Sequence, residues 1–248
     1  VKALKFLDSA FLTIPNPGPI DLFKKHHTSY GYSFYKKKNP ASAILYLDSM
    51  LLAVKDYKYA SPYKLHYLDA LLLNAEARLV YKNYPGAYKY YLKAKKYVEE
   101  SQDPKLEAEF YKCMGMANYL VEEYVLATVY LKKALSILPN SSVDKSYDAF
   151  WARQSLLNTM GLAFEKLTKN DSALVYYQNG CDFIERHGAI YADKKAQLAT
   201  AKAVIMGNMI LPYYRIGDAA AAESMAKQSL YFNQVLGYDK VDAQTAMI

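Results

Sequence analysis

Four histidines and two cysteines are the residues of this chain best suited to hold a metal or to attack a substrate: His26, His27, His66, His187, Cys113 and Cys181. Their spacing argues against both roles. No histidine pair has the HExxH arrangement that places two imidazoles on one helix face, and His26 and His27 are adjacent, so they point to different faces of a helix. Two cysteines exclude a disulfide framework and cannot make a zinc site without histidine help. They read as buried thiols. Glu122 and Glu123 are adjacent carboxylates at an expected turn, which is a solvated edge. No glycine-rich phosphate loop and no G-x-S-x-G nucleophile elbow occurs. The expectation is a chain without enzymatic activity, cofactor or metal.

Binding chemistry is better represented. The chain of 248 residues carries 26 tyrosines and a net charge of +7. All of the excess positive charge lies in residues 1–107, and residues 108–248 are balanced. The stretch YKNYPGAYKYYLKAKKYVEE (81–100) interleaves lysine with tyrosine, a pattern that can neutralise phosphates and stack bases. On a helix, however, the same tyrosines are spaced to pack against a neighbour. The neutral second half supplies no continuous basic track, so nucleic acid ranks last among the partners.

The elements that position these residues are helices. Glycine and proline are few, at 10 and 9, while alanine, leucine, lysine and tyrosine are abundant. No apolar run reaches the roughly 18 residues that span a bilayer; the longest, AVIMGNMIL (203–211), is half that. The start, VKALKFLDSAFLTIP, reads as an amphipathic helix rather than a signal peptide. Without an initiator methionine it reads as the start of a mature or trimmed fragment.

A spacing of small residues recurs along the chain. Gly115, Ala127 and Ala134 are separated by 12 and 7 positions. So are Gly31, Ala43 and Met50; Ala75, Ala87 and Ala94; Gly161, Ala173 and Gly180; and, in degenerate form, Ile210, Ala222 and Ser229. Ala3 and Ala10 make a half copy. A large residue sits four positions after the middle small one, at Leu7, Leu47, Tyr91, Leu131 and Tyr177. Phe34, Phe164 and Tyr213 sit three after the first, where Arg78 and Asn118 break the pattern. Small side chains let two helices approach and large ones fill the space beside them. Asn39, Asn83, Asp171 and Asp218 are expected helix N-caps, and Pro139 is expected to end its helix.

These residues resemble the tetratricopeptide repeat. YKCMGMANYLVEEYVLATVYLKKALSILPN (111–140) holds the family's aromatic, Gly, Ala, Leu, Ala and Pro in order, and YYRIGDAAAAE (213–223) is similar to its elbow. The resemblance implies an all-α, right-handed superhelical solenoid of antiparallel helix pairs. About five and a half repeats would form one domain: a half repeat at 1–19, then 20–60, 61–103, 104–141, 142–189 and 190–237. Helices are expected near 1–13, 20–37, 40–56, 61–82, 84–100, 104–121, 124–138, 142–169, 171–187, 190–216 and 219–236, with 237–248 fraying or starting another repeat. The copies are longer than the family's usual 34 residues, and 143–169 and 190–216 read as unusually long first helices. In this they are similar to sensor and regulator members.

The resemblance also implies a concave groove lined by the first helix of each pair. Carried over by phase, its lining is Lys25, Thr28, Tyr32, Tyr35, Lys36, Glu76, Lys112, Met116, Tyr119, Asn158, Leu162, Glu165, Tyr214 and Arg215. Such a mixture of aromatic and charged residues suits a protein or peptide partner. Thr28 and Tyr32 stand where chaperone-binding members carry Lys and Asn, which argues against docking of a chaperone tail. The functional expectation is a binding scaffold that forms the sensor portion of a larger bacterial regulator, with an extracytoplasmic position slightly favoured. A cytosolic regulator that responds to a short peptide is the alternative, and a nucleic-acid-associated protein using the basic first part is the third reading.

Overall fold

The computed structural model describes residues 2–58, 60, 63–138 and 146–235. Among these residues there are eleven α-helices and no strand. They are α1 (Lys2–Phe11), α2 (Pro19–Gly31), α3 (Pro40–Val54), α4 (Tyr63–Val80), α5 (Tyr84–Ser101), α6 (Pro104–Leu120), α7 (Tyr124–Ile137), α8 (Tyr147–Lys166), α9 (Asn170–His187), α10 (Lys195–Arg215) and α11 (Ala219–Val235). The expectations for 237–248 and for Pro139 itself fall outside the described residues. Leu138, just before Pro139, is extended (φ −70°, ψ 131°), the conformation that a following proline imposes.

The helices group into two compact units, residues 1–113 and 114–248, with the boundary inside α6. In the first unit α2 pairs with α3 and α4 with α5; in the second α8 pairs with α9 and α10 with α11. Each hairpin has one turn residue at positive φ. Lys38, Lys82, Glu122, Thr168 and Gly217 adopt positive φ, and the residue after each immediately precedes the next helix. In four hairpins the amide of that next residue donates to the carbonyl five positions earlier: Asn83 to Arg78, Glu123 to Asn118, Lys169 to Phe164 and Asp218 to Tyr213, at 2.7–3.0 Å. This is the Schellman closure of a helix C-terminus. The first hairpin differs. Tyr32–Lys36 forms a π-helical turn, and Asn39 donates one residue further back, to Ser33 at 3.1 Å.

Three expected caps are present: Asn39 accepts from the amide of Ser42, Asn83 from Gly86 and Asp218 from Ala221. Asp171 is not a cap. The N-cap of α9 is Lys169, which places Asp171 in the first turn, where a carboxylate favours the positive end of the helix dipole. The helix expected over 190–216 also starts later. Two 3₁₀ turns, Gly188–Ile190 and Ala192–Lys194, precede α10. Between them Tyr191 leaves helical geometry to bury its ring against Tyr147 and Phe150, and its hydroxyl donates to the Ser146 carbonyl at 3.2 Å.

The small and large residues meet as their spacing predicts in the second unit. A Cβ added to Gly115 would lie 2.5 Å from Leu131, and one added to Gly161 would lie 2.3 Å from Tyr177. Ala43, Leu47, Met50, Ala87, Ala94, Ala127, Leu131, Ala134, Ala173 and Tyr177 are all completely buried. Gly31, next to the π turn, has nothing within 4 Å of the added atom.

The two glycines therefore respond oppositely to the same substitution. Gly161→Ala destabilises by about 1–3 kcal/mol, because the Tyr177 ring must move within a packed core. Gly31→Ala is neutral or stabilises by up to about 1 kcal/mol through helix propensity. Urea unfolding of both variants measures the difference.

Candidate functional site

In the first unit α4 contributes Glu76, one position after Ala75. From α6 come Glu109, Lys112 and Cys113, three and four positions apart on one helix face. These four side chains form a half-buried network. The Cys113 thiol donates to Glu76 Oε1 at 3.0 Å and lies 3.7 Å from Glu109 Oε1. The Lys112 ammonium donates to Glu109 Oε2 at 2.6 Å. Burial pushes the Glu76 carboxyl above its ordinary range; the thiol hydrogen bond pulls it back, and the charge of Glu109 adds to the rise. The Cys113 thiol is also raised well above its ordinary value, by burial first and then by Glu76 and Glu109. Burial pulls the Lys112 ammonium down, but the charge and hydrogen bond of Glu109, together with Cys113 and Glu76, outweigh it and hold it above its ordinary value.

Among the described residues, Glu76, Glu109 and Cys113 are the one group whose ligand atoms, all within 4.8 Å, could hold a metal. Their chemistry does not favour one. A metal needs the thiolate, whereas the surrounding carboxylates keep the thiol protonated and Lys112 occupies Glu109. The network reads as hydrogen-bonded and ionic.

The second unit brings together another set of residues read from the sequence. On α8, Asn158 and Glu165 lie two turns apart on one face. Asn208 on α10 donates its side-chain amide to Asn158 Oδ1 at 2.9 Å. Arg215, also on α10, lies 3.8 Å from Glu165. Tyr177, from the second helix of the α8–α9 pair, donates its hydroxyl to Glu165 at 3.2 Å. Tyr119 packs its ring on Tyr124, and burial raises its hydroxyl pKa, with a further push from Glu165. Met116 and Tyr214 are exposed, Tyr214 at 70%.

The remaining expected residues sit elsewhere. Lys25 is held against α1, paired with Asp8 at 2.9 Å and 4.6 Å over the Phe11 ring. Tyr32, Tyr35 and Lys36 lie on the π turn, where Tyr35 is 69% exposed. Sequence reasoning missed Glu109 and Asn208, whose signal was helix periodicity alone. It also missed what Arg78 does. This buried guanidinium pairs with Asp48 at 3.0 Å and lies 4.4 Å over the Tyr90 ring. It donates to the side chain of Asn74 as well, tying α3, α4 and α5 together. In the Lys–Tyr stretch, Tyr91 and Tyr97 are buried, and Lys95 and Lys96 pair with Glu99 and Glu100. Those aromatic rings pack rather than wait for bases.

The second unit also has two surface cavities. One, of about 330 Å³, is lined by Arg153, Asp182, Arg186 and His187 among others. A more apolar one, of about 450 Å³, is lined by Ile184, Tyr191, Leu198 and Phe232, with Lys195 and Lys202. None of the groove residues read from the sequence lines either of them.

No family model and no curated protein sequence matches the chain. Solved structures do. BtubC (BKLC) from P. vanneervenii aligns at a TM-score of 0.67 with 18% identity, over 84% of this chain and 81% of that one. The tetratricopeptide repeat sensor protein of the STAND class from Pyrococcus horikoshii aligns at 0.65 with 14% identity, over 92% of this chain and 34% of that one. The fold is that of the tetratricopeptide repeat. A Rap protein complexed with competence and sporulation factor shares it at a TM-score of 0.55 and 13% identity, over 88% of this chain and 64% of that one. Within this repeat fold both polar sets described above, Glu76–Lys112 and Asn158–Arg215, stand on first helices.

Two measurements check the electrostatics. Because the folded-state pKa of Glu76 is raised from 4.5, the folded chain binds more protons than the unfolded chain above that pH. Its stability therefore falls as pH rises through the raised value. Glu76→Gln removes this penalty, so its Tm exceeds that of the parent at pH 7 and equals it near pH 4. Cys181 is pushed up to about 11 by burial and Cys113 is also raised well above its ordinary value, so at pH 8 neither thiol reacts with Ellman's reagent until the chain is unfolded.

Proposed function

We propose that this chain is a non-enzymatic receptor for a protein or peptide segment, bound along the first helices of its pairs. In this reading it serves as the sensor part of a larger bacterial signalling regulator. The observation that carries it is the polar pairing between neighbouring first helices in the second unit, Asn158 with Asn208 and Glu165 with Arg215. A side-chain amide has two N–H donors and an oxygen with two lone pairs. One mutual hydrogen bond therefore leaves the Asn158–Asn208 pair with capacity to meet the N–H and C=O of an extended backbone. Glu165 and Arg215, two turns along the same faces, offer one charge of each sign. Exposed Met116 and Tyr214 add apolar and aromatic area at low entropy cost. The repeat fold adds support, since similar structures include a repeat sensor and a Rap protein carrying a bound factor.

The test is selection of binders from a displayed random-peptide library, followed by fluorescence anisotropy of the selected peptide. Asn158→Ala and Asn208→Ala each weaken binding about tenfold, the loss of roughly one hydrogen bond, with Tm changed little. Selection that yields no saturable binder, or binders indifferent to both substitutions, would refute this reading. Affinity for a DNA duplex that falls log-linearly with salt would point to nucleic acid instead.

A further inference from the structure

Residues 1–107 carry all of the excess positive charge of the chain, yet one face of the first unit gathers the opposite sign. On α4, Asp69 and Glu76 stand two turns apart on one face. Glu109 of α6 lies beside Glu76, with the Cys113 thiol between them. Asp69 is exposed and has no hydrogen-bond or ion-pair partner among the described residues. The protein around it still raises its carboxyl, while His27 and His66 pull it down and Glu109 pushes it up. Glu76 Oε1 accepts from Cys113, whereas its Oε2 has no partner among the described residues. The nearby Lys112 ammonium bonds to Glu109 and acts on Glu76 through its charge alone.

Tyr30, at the end of α2, brings to this charge a hydroxyl with nothing to bond. The residue is only 4% exposed, and its ring lies 5.3 Å from that of Phe34. The hydroxyl has no hydrogen-bond partner among the described residues, and it is not sealed from solvent. Burial pushes it well above its ordinary pKa, and Tyr35, Glu76, Tyr81 and Asp69 push it further. A buried phenol oxygen ordinarily finds a partner. Aromatic rings stand beside it: Phe34 lies edge-on to Tyr35 at 4.9 Å and 5.6 Å from Tyr81, and Tyr35 is 69% exposed. Oxygen lone pairs accept N–H donors, and ring faces attract positive charge. We infer that the Tyr30–Glu76 face of the first unit is a binding site for a cationic side chain, an arginine of the protein or peptide partner. The inference deepens the receptor reading above and rests on it. A guanidinium has five donors in one plane, so it serves Glu76 Oε2 and the Tyr30 oxygen while lying against a ring. Asp69, two turns away, adds attraction, and a neutral or acidic side chain leaves these acceptors unmet.

The probe is fluorescein-labelled tetra-arginine amide, titrated against the whole chain at low ionic strength and followed by anisotropy. It binds saturably, although the net charge of +7 opposes it. Glu76→Gln weakens binding about tenfold or more and Tyr30→Phe about fivefold. Neither substitution lowers Tm at pH 7, because one removes a raised carboxyl and the other an unbonded hydroxyl; lost binding is therefore not lost folding. Glu223→Gln, in an exposed ion pair of the second unit, leaves binding unchanged. Tetra-lysine amide binds about threefold more weakly or worse. Absence of saturable binding overturns the proposal, as does binding indifferent to Tyr30→Phe and Glu76→Gln, or weakened equally by Glu223→Gln. Equal affinity for tetra-lysine amide overturns the assignment to arginine. Should tetra-arginine fail while selected peptides depend on Asn158, the cation site falls and the receptor reading stands. Should selection yield no peptide while tetra-arginine binds as described, the receptor reading falls and the cation site stands by itself.

Discussion

Two helices joined by a three-residue turn pack closely only if one of them gives up side-chain volume where they meet. At Gly115 and Gly161 that concession is complete: the partner Leu131 or Tyr177 occupies the space a Cβ would need. Fixing that contact sets the rotation of both helices about their axes, because residues seven apart return to one face. Every other assignment along the pair follows, including which residues the first helix turns away from its partner. The polar sets depend on this. Glu76 follows Ala75, and Glu165 stands four positions after Gly161, so the packing contact places the carboxylates.

The turns carry a related constraint. Each hairpin reverses within one residue at positive φ, and in four of five that residue is not glycine. Such a conformation costs about 1 kcal/mol or more in a residue with a Cβ. The Schellman hydrogen bonds that follow offset this by satisfying carbonyls at the helix end, and the same residues open the next helix with little loop to order. The first hairpin solves the same problem with a π turn, and there the space around Gly31 is open.

Buried polarity divides the chain into two kinds of site. Arg78 with Asp48 and Asn74 is a structural tie, with its charge and hydrogen bonds spent between three helices. Glu76 with Cys113 and Glu109 is strained by comparison. Burial and neighbouring charge raise the carboxyl and the thiol together, so the network holds protons tightly without offering the thiolate that covalent or metal chemistry needs. The Asn158–Asn208 and Glu165–Arg215 pairs link two first helices, with Asn158, Asn208 and Glu165 half-buried and Arg215 exposed, which suits recognition better than support.

Periodicity alone indicated the helices and their pairing, and the +12, +7 spacing marked the close contacts at Gly115 and Gly161, though not at Gly31, where the space beside the helix is open. Asn39, Asn83 and Asp218 were legible as caps for a similar local reason: the bond spans three residues. Asp171 was not, because the cap position, the residue after positive-φ Thr168, falls on Lys169, two positions before it. Neither was the late start of α10, which depends on Tyr191 burying its ring against Phe150, some forty residues away. The same distance hid the partners of Glu76 and Asn158. Only tertiary structure decided that Lys25 is spent on α1, that Cys113 donates to Glu76 and that Asn208 reaches Asn158. Side chains on separate helices meet through rotation and crossing angle, quantities that no local spacing encodes.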